Sequence, residues 1–299
     1  MKYGPLAFAR NRLRDAEANA IVLRGVSLFW SNWGSRFYNR QCLEWLHKDW
    51  RIDALRIPVA VDAPGGYLDD PGAVMAQVHE LAQIAIETGL YVLLDWHSHE
   101  PHTDAAACFF EKSAQRFSGT GGVFYELLNE PRAGLSWHRD ILPHHETVGH
   151  AIRAIDAHAP LLLGTPSSCT RPDVAARRPV NLANVAYTVH FYAGTHREGL
   201  RDRMREATRA DTSLFVSEWG TAEADGDGML DLEEAERWLA FLQRRQIGWI
   251  NWSIHDKAEE TAALMPAASP EGRWSKRDLT PSGTFVRRHC RRRRHWLWR

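Results

Sequence analysis

Eight short strand-like runs that alternate with helical stretches constrain this chain more than any other feature. The first run ends at Leu28, and the others cover residues 55–59, 91–96, 123–129, 161–164, 185–190, 214–218 and 249–252. Several are apolar throughout rather than alternating, as strands buried on both faces must be. Between the second and third runs, Val74, Met75, Val78, Leu81, Ala82 and Ala85 recur at helical spacing, with Asp70-Pro71 as a start signal and Gly89 as a stop. A helix over 231–244 sets Ala235, Trp238, Leu239 and Leu242 on one face behind the capping box Asp231-x-x-Glu234. Weaker helical patterns cover 40–48, 105–117, 145–157, 200–208 and the stretch after Pro281. Such an alternation predicts an α/β fold, a parallel sheet closed into a single (β/α)8 TIM barrel. Residues 6–15 and 21–28 alternate like strands joined through 16–20, so an N-terminal β-hairpin is expected to lead into the first core strand. We expect a barrel domain over 1–286 and an Arg- and Trp-rich C-terminal tail over 287–299.

Charge excludes some partners. The 37 basic and 37 acidic residues cancel, so the chain as a whole has no field that would recruit nucleic acid or a membrane. The distribution is uneven, because the tail holds seven arginines and no acid while the first 286 residues carry 30 basic against 37 acidic groups. Cys42, Cys108, Cys169 and Cys290 lack any C-x-x-C spacing and suggest neither a zinc site nor a disulfide framework. No transmembrane run is present, and residues 1–9 lack the basic and long apolar regions of a signal peptide. The chain either stays in the cell or has lost a leader. Thirteen tryptophans, far above average usage, point to flat apolar faces for sugars or other ring ligands.

In a closed barrel the active site forms from the C-terminal strand ends. Here those ends read Arg56, Asp95-Trp96-His97-Ser98-His99, Asn129-Glu130, His190 with Tyr192, Glu218-Trp219 and Asn251-Trp252-Ser253. A lone histidine at a strand end is ordinarily a hydrogen-bonded structural residue, but this many polar and aromatic ends on one rim describe a site. Glu130, stopped by Pro131, and Glu218 are carboxylates at the ends of two strands, which suggests a pair that acts together.

The segments Leu23-Arg24-Gly25-Val26-Ser27-Leu28-Phe29-Trp30, Asp95-Trp96-His97, Asn129-Glu130-Pro131, His190-Phe191-Tyr192 and Ser217-Glu218-Trp219-Gly220 resemble, in order and spacing, glycoside hydrolase family 5. The stretch from Asn251 to Glu259, which includes Lys257, resembles its bacterial endo-β-1,4-glucanase (cellulase) branch, and the likeness runs from Tyr3 to Val286. It implies a retaining enzyme without cofactor or metal, acting on β-glucan polysaccharide or oligosaccharide outside the cell. By that resemblance Glu130 is the acid/base and Glu218 the nucleophile. Arg56 and Tyr192 hold Glu218, and His190 bonds near Glu130. His97 and Asn129 meet the sugar, Trp252 stacks under the ring, Lys257 supports the site, and the Trp252–Ser253 peptide is cis. The charge of Glu218 is expected to raise the pKa of Glu130 and keep it protonated in the free enzyme. Trp30, Trp33, Trp219 and Trp252, in rim segments, are expected to include the sugar platforms, whereas Trp45, Trp238 and Trp249 belong to core elements.

The shared catalytic frame leaves mannan, xylan and mixed-linkage glucan open as substrates. A non-catalytic carbohydrate-binding barrel would lack one carboxylate, and both are present. The run Glu223-x-Asp225-x-Asp227-Gly228-x-x-Asp231-x-x-Glu234 fits calcium-loop spacing, but a strand precedes it and its last two acids serve as a helix cap. In the tail, Trp296 and Trp298 would share one face if extended. A run of like charges is ordinarily a solvated tail, but the area the two indoles bury comes near to balancing the entropy of ordering the segment, and the acidic remainder of the chain tips it toward docking, on the barrel itself or on a second copy in self-association, with an anionic cell-surface or membrane partner as the alternative.

Overall fold

The computed structural model describes residues 2–292. Two short strands, β1 (Ala7–Ala9) and β2 (Arg12–Arg14), pair antiparallel ahead of a closed parallel barrel. Its strands are β3 (Arg24–Leu28), β4 (Ala54–Ala60), β5 (Tyr91–His97), β6 (Val123–Glu126), β7 (Leu161–Leu163), β8 (Val185–Tyr192), β9 (Leu214–Gly220) and β10 (Trp249–Ile254), the last closing against β3. The helices are α1 (Arg40–Trp45), α2 (Pro71–Thr88), α3 (Thr103–Phe117), α4 (Leu142–Arg153), α5 (Pro166–Cys169), α6 (Pro172–Arg177), α7 (Glu198–Arg209), α8 (Leu232–Arg245) and α9 (Pro281–Arg291). The expected barrel is present. Among the described residues no helix is long and apolar enough to cross a membrane.

Helix ends follow local chemistry. Asp70 Oδ1 accepts from the Ala73 N–H at 2.9 Å to start α2, and Gly89 at φ 94° ends it. Asp231 Oδ1 does the same for Glu234 N–H at the start of α8. The Thr280 hydroxyl accepts from Gly283 N–H ahead of α9. That last helix runs through the expected boundary at 286/287. Arg287 forks onto both oxygens of Asp49 at 2.6 and 2.8 Å, so the basic segment is joined to the barrel at least this far.

The hairpin is tighter than the sequence suggested. It lies wholly inside the stretch expected to be one strand, turning at Arg10-Asn11 with φ of 49° and 59°. Two successive left-handed residues give a turn whose twist matches its strands, but Arg10 carries no turn signal. Residues 21–23 only run beside β2, Ile21 N–H donating to Leu13 O at 2.8 Å, before the chain enters the barrel. Phe8 meets Phe124 and Phe215 edge-on, with centroids 6.0 and 6.3 Å away. With Leu6 and Leu13 it joins Leu23, Ala54, Leu93, Leu162, Ala186 and Ile250 in one apolar cluster. The hairpin thereby plugs the N-terminal floor of the barrel and leaves the opposite end for polar groups.

On β9 the pairing slips: Thr188 faces Phe215, but His190 faces Glu218. Two steps along β8 oppose three along β9, which is a bulge. Phe215 belongs to the inner cluster and Val216 to the outer core. After the bulge Glu218 meets the inward Arg56, while Trp219 faces the helices and stacks on Phe191 at 5.5 Å and 14°. Phe191 in turn stacks on Trp238 of α8 at 4.2 Å and 13°. The Trp238 indole donates to His196 O at 2.9 Å, and the Arg201 guanidinium sits 4.7 Å from its ring centre. This aromatic pile fastens β8, β9 and α8 together. Trp238→Ala should lower unfolding free energy by about 3–5 kcal/mol in urea denaturation, and a loss below about 1 kcal/mol would contradict this packing.

Candidate active site

At the C-terminal end of the barrel one cation organises the polar groups. The Arg56 side chain on β4 is wholly buried. Its Nε donates to Glu126 Oε2 at 2.7 Å, Nη1 to Glu218 Oε2 at 2.9 Å and Nη2 to Asn129 Oδ1 at 2.6 Å, with Asp95 Oδ2 2.9 Å from Nη2. A buried guanidinium is tolerable only when its charge and its donors are both met. Burial pushes the Glu126 carboxyl up, but the charges of Arg56 and His190 hold it down at about 2. For Asp95 burial outweighs Arg56 and leaves its pKa well above the usual range. His97 Nδ1 lies 2.6 Å from Asp95 Oδ2, and burial lowers His97 to about 3, so its ring is neutral.

Glu218 and Glu130 differ in their partners. Glu218 accepts from Arg56 on one oxygen and from the Tyr192 hydroxyl on the other at 2.7 Å, a pair of donors that fixes the direction of its carboxyl group. Glu130 Oε1 lies 2.8 Å from His190 Nδ1, and His190 Nε2 is 3.0 Å from Ser217 Oγ and 3.7 Å from Glu126 Oε1. An oxygen of Glu130, an oxygen of Glu218 and a His190 nitrogen all lie within 4.8 Å of one another. Such a trio could bridge a cation, but Arg56, Tyr192 and His190 already supply donors to these carboxylates.

The sequence led us to expect a Glu130 pKa raised by Glu218, and the structure reverses this. Burial does raise it, but the hydrogen bond and charge of His190 prevail and leave it below the ordinary carboxylate value. Burial disfavours the charged form of His190, yet surrounding acidic groups, Glu218, Glu126 and Glu130 among them, raise its pKa well above the usual value. The proton therefore rests on the imidazole of a tightly coupled pair, one short hydrogen bond from Glu130.

Other expected residues divide. The Trp252 ring lies parallel to His97 at 5.2 Å, and the Trp252–Ser253 peptide is cis. Trp30 meets His97 edge-on at 4.3 Å, and Trp33, 60% exposed, lies 5.3 Å from Trp30. These rings line one side of the site. Trp219 does not join them. It is fully buried in the outer core, because the bulge that brings Glu218 inward turns its neighbour outward. Lys257 is also outside the cluster, largely exposed and paired with Glu259 in the loop after β10. In the acidic loop, Asp231 caps α8 and Glu234 is buried against Arg201, so neither is left for calcium.

Sequence reasoning missed the roles of Glu126 and Ser217. The signal for Glu126 was available: an acid inside an apolar run needs a buried cation, and Arg56 lay two strands away in the barrel order.

Arg56→Met leaves these buried acids without their cation and should cost about 3–5 kcal/mol at pH 7. With Arg56 absent, burial raises the Glu126 pKa, so the carboxyl takes up a proton in the folded state as pH falls. The deficit in urea midpoint against the parent should narrow from pH 7 to pH 4, and a constant or widening gap would contradict the proposed charge balance.

Comparison with known proteins agrees with this geometry. A family model described as Cellulase (glycosyl hydrolase family 5) matches residues 14–258. The chain is 35% identical to Endoglucanase of Clostridium saccharobutylicum over 290 residues, and 38% identical to Endoglucanase Z of Dickeya dadantii over 288. Each alignment covers 95% of this chain but only 64% and 65% of those relatives, which are longer proteins. A solved structure from Cytophaga hutchinsonii superposes with a TM-score of 0.95 at 39% identity, covering 97% of this chain and 95% of that one. The catalytic domain of Thermobifida fusca endoglucanase Cel5A gives a TM-score of 0.92 at 32% identity, covering 97% and 98%, and one structure of that domain is a complex with cellotetraose. With its family match over most of the length and relatives at more than a third identity, the chain belongs to glycosyl hydrolase family 5, the cellulase family.

Proposed function

We propose that this chain hydrolyses internal β-1,4-glucosidic bonds of cellulose or a related β-glucan, with retention of configuration. The observation that carries the reading is the approach of Glu130 and Glu218 oxygens to within 4.8 Å, each with its own set of partners. Retaining enzymes need carboxyl groups about 5–5.5 Å apart, whereas inverting enzymes leave about 6.5–9.5 Å for a water. Glu218, oriented by Arg56 and Tyr192, forms a bond to the anomeric carbon as the glycosidic C–O bond breaks. Glu130 gives the departing oxygen its proton, supplied by the pair it forms with His190. Water then attacks the glycosyl-enzyme, its proton passes to Glu130, and the bond to Glu218 breaks.

The surrounding groups fit this reaction. Asn129 Oδ1 is tied to Arg56, which leaves the amide N–H groups to donate to the sugar 2-hydroxyl, a bond that strengthens in the transition state. Trp252 and His97 offer a wall for the ring being cleaved, and Trp30 with the exposed Trp33 extends the apolar surface along the chain direction of a polymer. A polymeric substrate of this kind is met outside the cell, which is where we place the activity. The names of the relatives, endoglucanases in several bacteria, support the choice of glucan.

Glu130→Gln and Glu218→Gln should each lower polysaccharide hydrolysis by about 10³-fold or more, with unchanged circular dichroism. On an aryl cellobioside with an activated leaving group the two should part. Glu130→Gln still forms the glycosyl-enzyme in a burst, while Glu218→Gln releases no phenol. Equal loss on that substrate would overturn the assignment.

A further inference from the structure

The docking expected of Trp296 and Trp298 falls on residues outside those described, but a buried thiol that the reaction does not consume lies beside the carboxylates. Cys169 ends α5, the short turn after β7, and is fully buried. Its Sγ donates to the carbonyl oxygen of Asn129 at 3.0 Å and stands 3.0 Å from Thr188 Oγ1 on β8. Burial pushes the thiol up to about 11, so the group is an uncharged S–H with one hydrogen to give.

The acceptor is the oxygen of the peptide that joins Asn129 to Glu130. The N–H of the same peptide donates to Ser98 O at 3.3 Å, so the plane is held from both sides. Beyond Glu130, the Ser168 N–H donates to Pro131 O at 2.9 Å. α5 therefore grips the chain before and after Glu130. It does so in a costly conformation, because Ser167, Ser168 and Cys169 have φ of 56°, 50° and 58°, a left-handed turn of residues that each carry a Cβ. Such strain persists only where the surroundings enforce it, and it gathers at functional sites. Here close contact enforces it. A Cβ on Gly164, just after β7, would fall 2.2 Å from Leu128 O and 3.1 Å from Pro131 Cδ, so α5 starts from backbone laid directly on the segment that carries Glu130.

Taking Glu130 as the acid of the proposed reaction, we propose that Cys169 is a positioning residue, whose S–H holds the Asn129–Glu130 peptide plane and thereby aims the Glu130 carboxyl group at the glycosidic oxygen. The thiol touches neither substrate nor reacting atoms and acts through its neighbour's backbone. Proton transfer depends on placement, and an error of about 1 Å costs about 10²-fold. A plane released on one side forfeits part of that.

Three variants separate a donor from a filler of space. Cys169→Ser keeps a donor, Cys169→Ala keeps the Cβ without a donor, and Cys169→Gly removes the donor while relieving the left-handed backbone, which protects the fold. On cello-oligosaccharides the two donor-free variants should lower kcat about 10-fold or more, with KM within about twofold. Cys169→Ser should restore about half of the parent kcat or more. On an aryl cellobioside with an activated leaving group, the phenol burst of the donor-free variants should approach that of the parent, because this step needs little acid help. Parent-like kcat in either donor-free variant overturns the proposal. So does an equal loss in all three, or a loss that ignores the leaving group. Glu130→Gln, measured alongside, keeps two failures apart: if it shows leaving-group dependence and the donor-free variants do not, the role of Cys169 alone falls, whereas if it shows none, the reading of Glu130 as the acid falls.

Discussion

The buried guanidinium of Arg56 is the contact on which the C-terminal half of the barrel depends. Four residues from four loop-proximal positions, Asp95, Glu126, Asn129 and Glu218, converge on it. Without a central cation, three acids at this depth would repel one another and bear the full penalty of desolvation. With it, each acquires a fixed direction. The orientations of the Glu218 carboxyl group and the Asn129 amide are thus set by one side chain, and the planar fork of arginine can reach them together where a lysine could not.

A second constraint is the bulge in β9. In a regular strand Glu218 would face away from Ser217, yet both point into the barrel, Ser217 to His190 and Glu218 to Arg56. The extra residue changes the alternation once, next to the chemistry, so that Trp219 returns to the outer core beside Phe191 and Trp249. This explains why sequence alone located Glu218 and misjudged Trp219. Strand existence, order and closure were legible because buried parallel strands read as apolar runs, and the two carboxylates because they follow such runs directly. A bulge leaves no residue signature of its own. The same limit applies to the turn at Arg10-Asn11 and to α5, where Ser167, Ser168 and Cys169 adopt φ of 56°, 50° and 58° without a glycine to announce it. Lys257 was placed by resemblance only, and its loop pairs it with Glu259 instead.

Electrostatics at the site are a matter of where one proton sits. Reading Glu130 with Glu218 alone, like charges raise the acid's pKa. Adding His190, which the sequence located but whose charge it did not supply, reverses the direction. An imidazolium enclosed by Glu126, Glu130 and Ser217 is stabilised against burial, and Glu130 becomes the relay of a shared proton rather than its resting place. In the proposed reaction a glycosyl group on Glu218 removes its charge and weakens the hold on the imidazolium, so the pair would respond to the step just completed.

Everything in this account turns on the short separation of Glu130 and Glu218, and that separation has a stereochemical consequence. Proton NMR of a cello-oligosaccharide digest in D2O, recorded before mutarotation, reads the anomeric configuration of the first-formed reducing end. The account predicts that the β-anomer appears first and the α-anomer grows in only at the rate of mutarotation; an α-anomer formed first would contradict it.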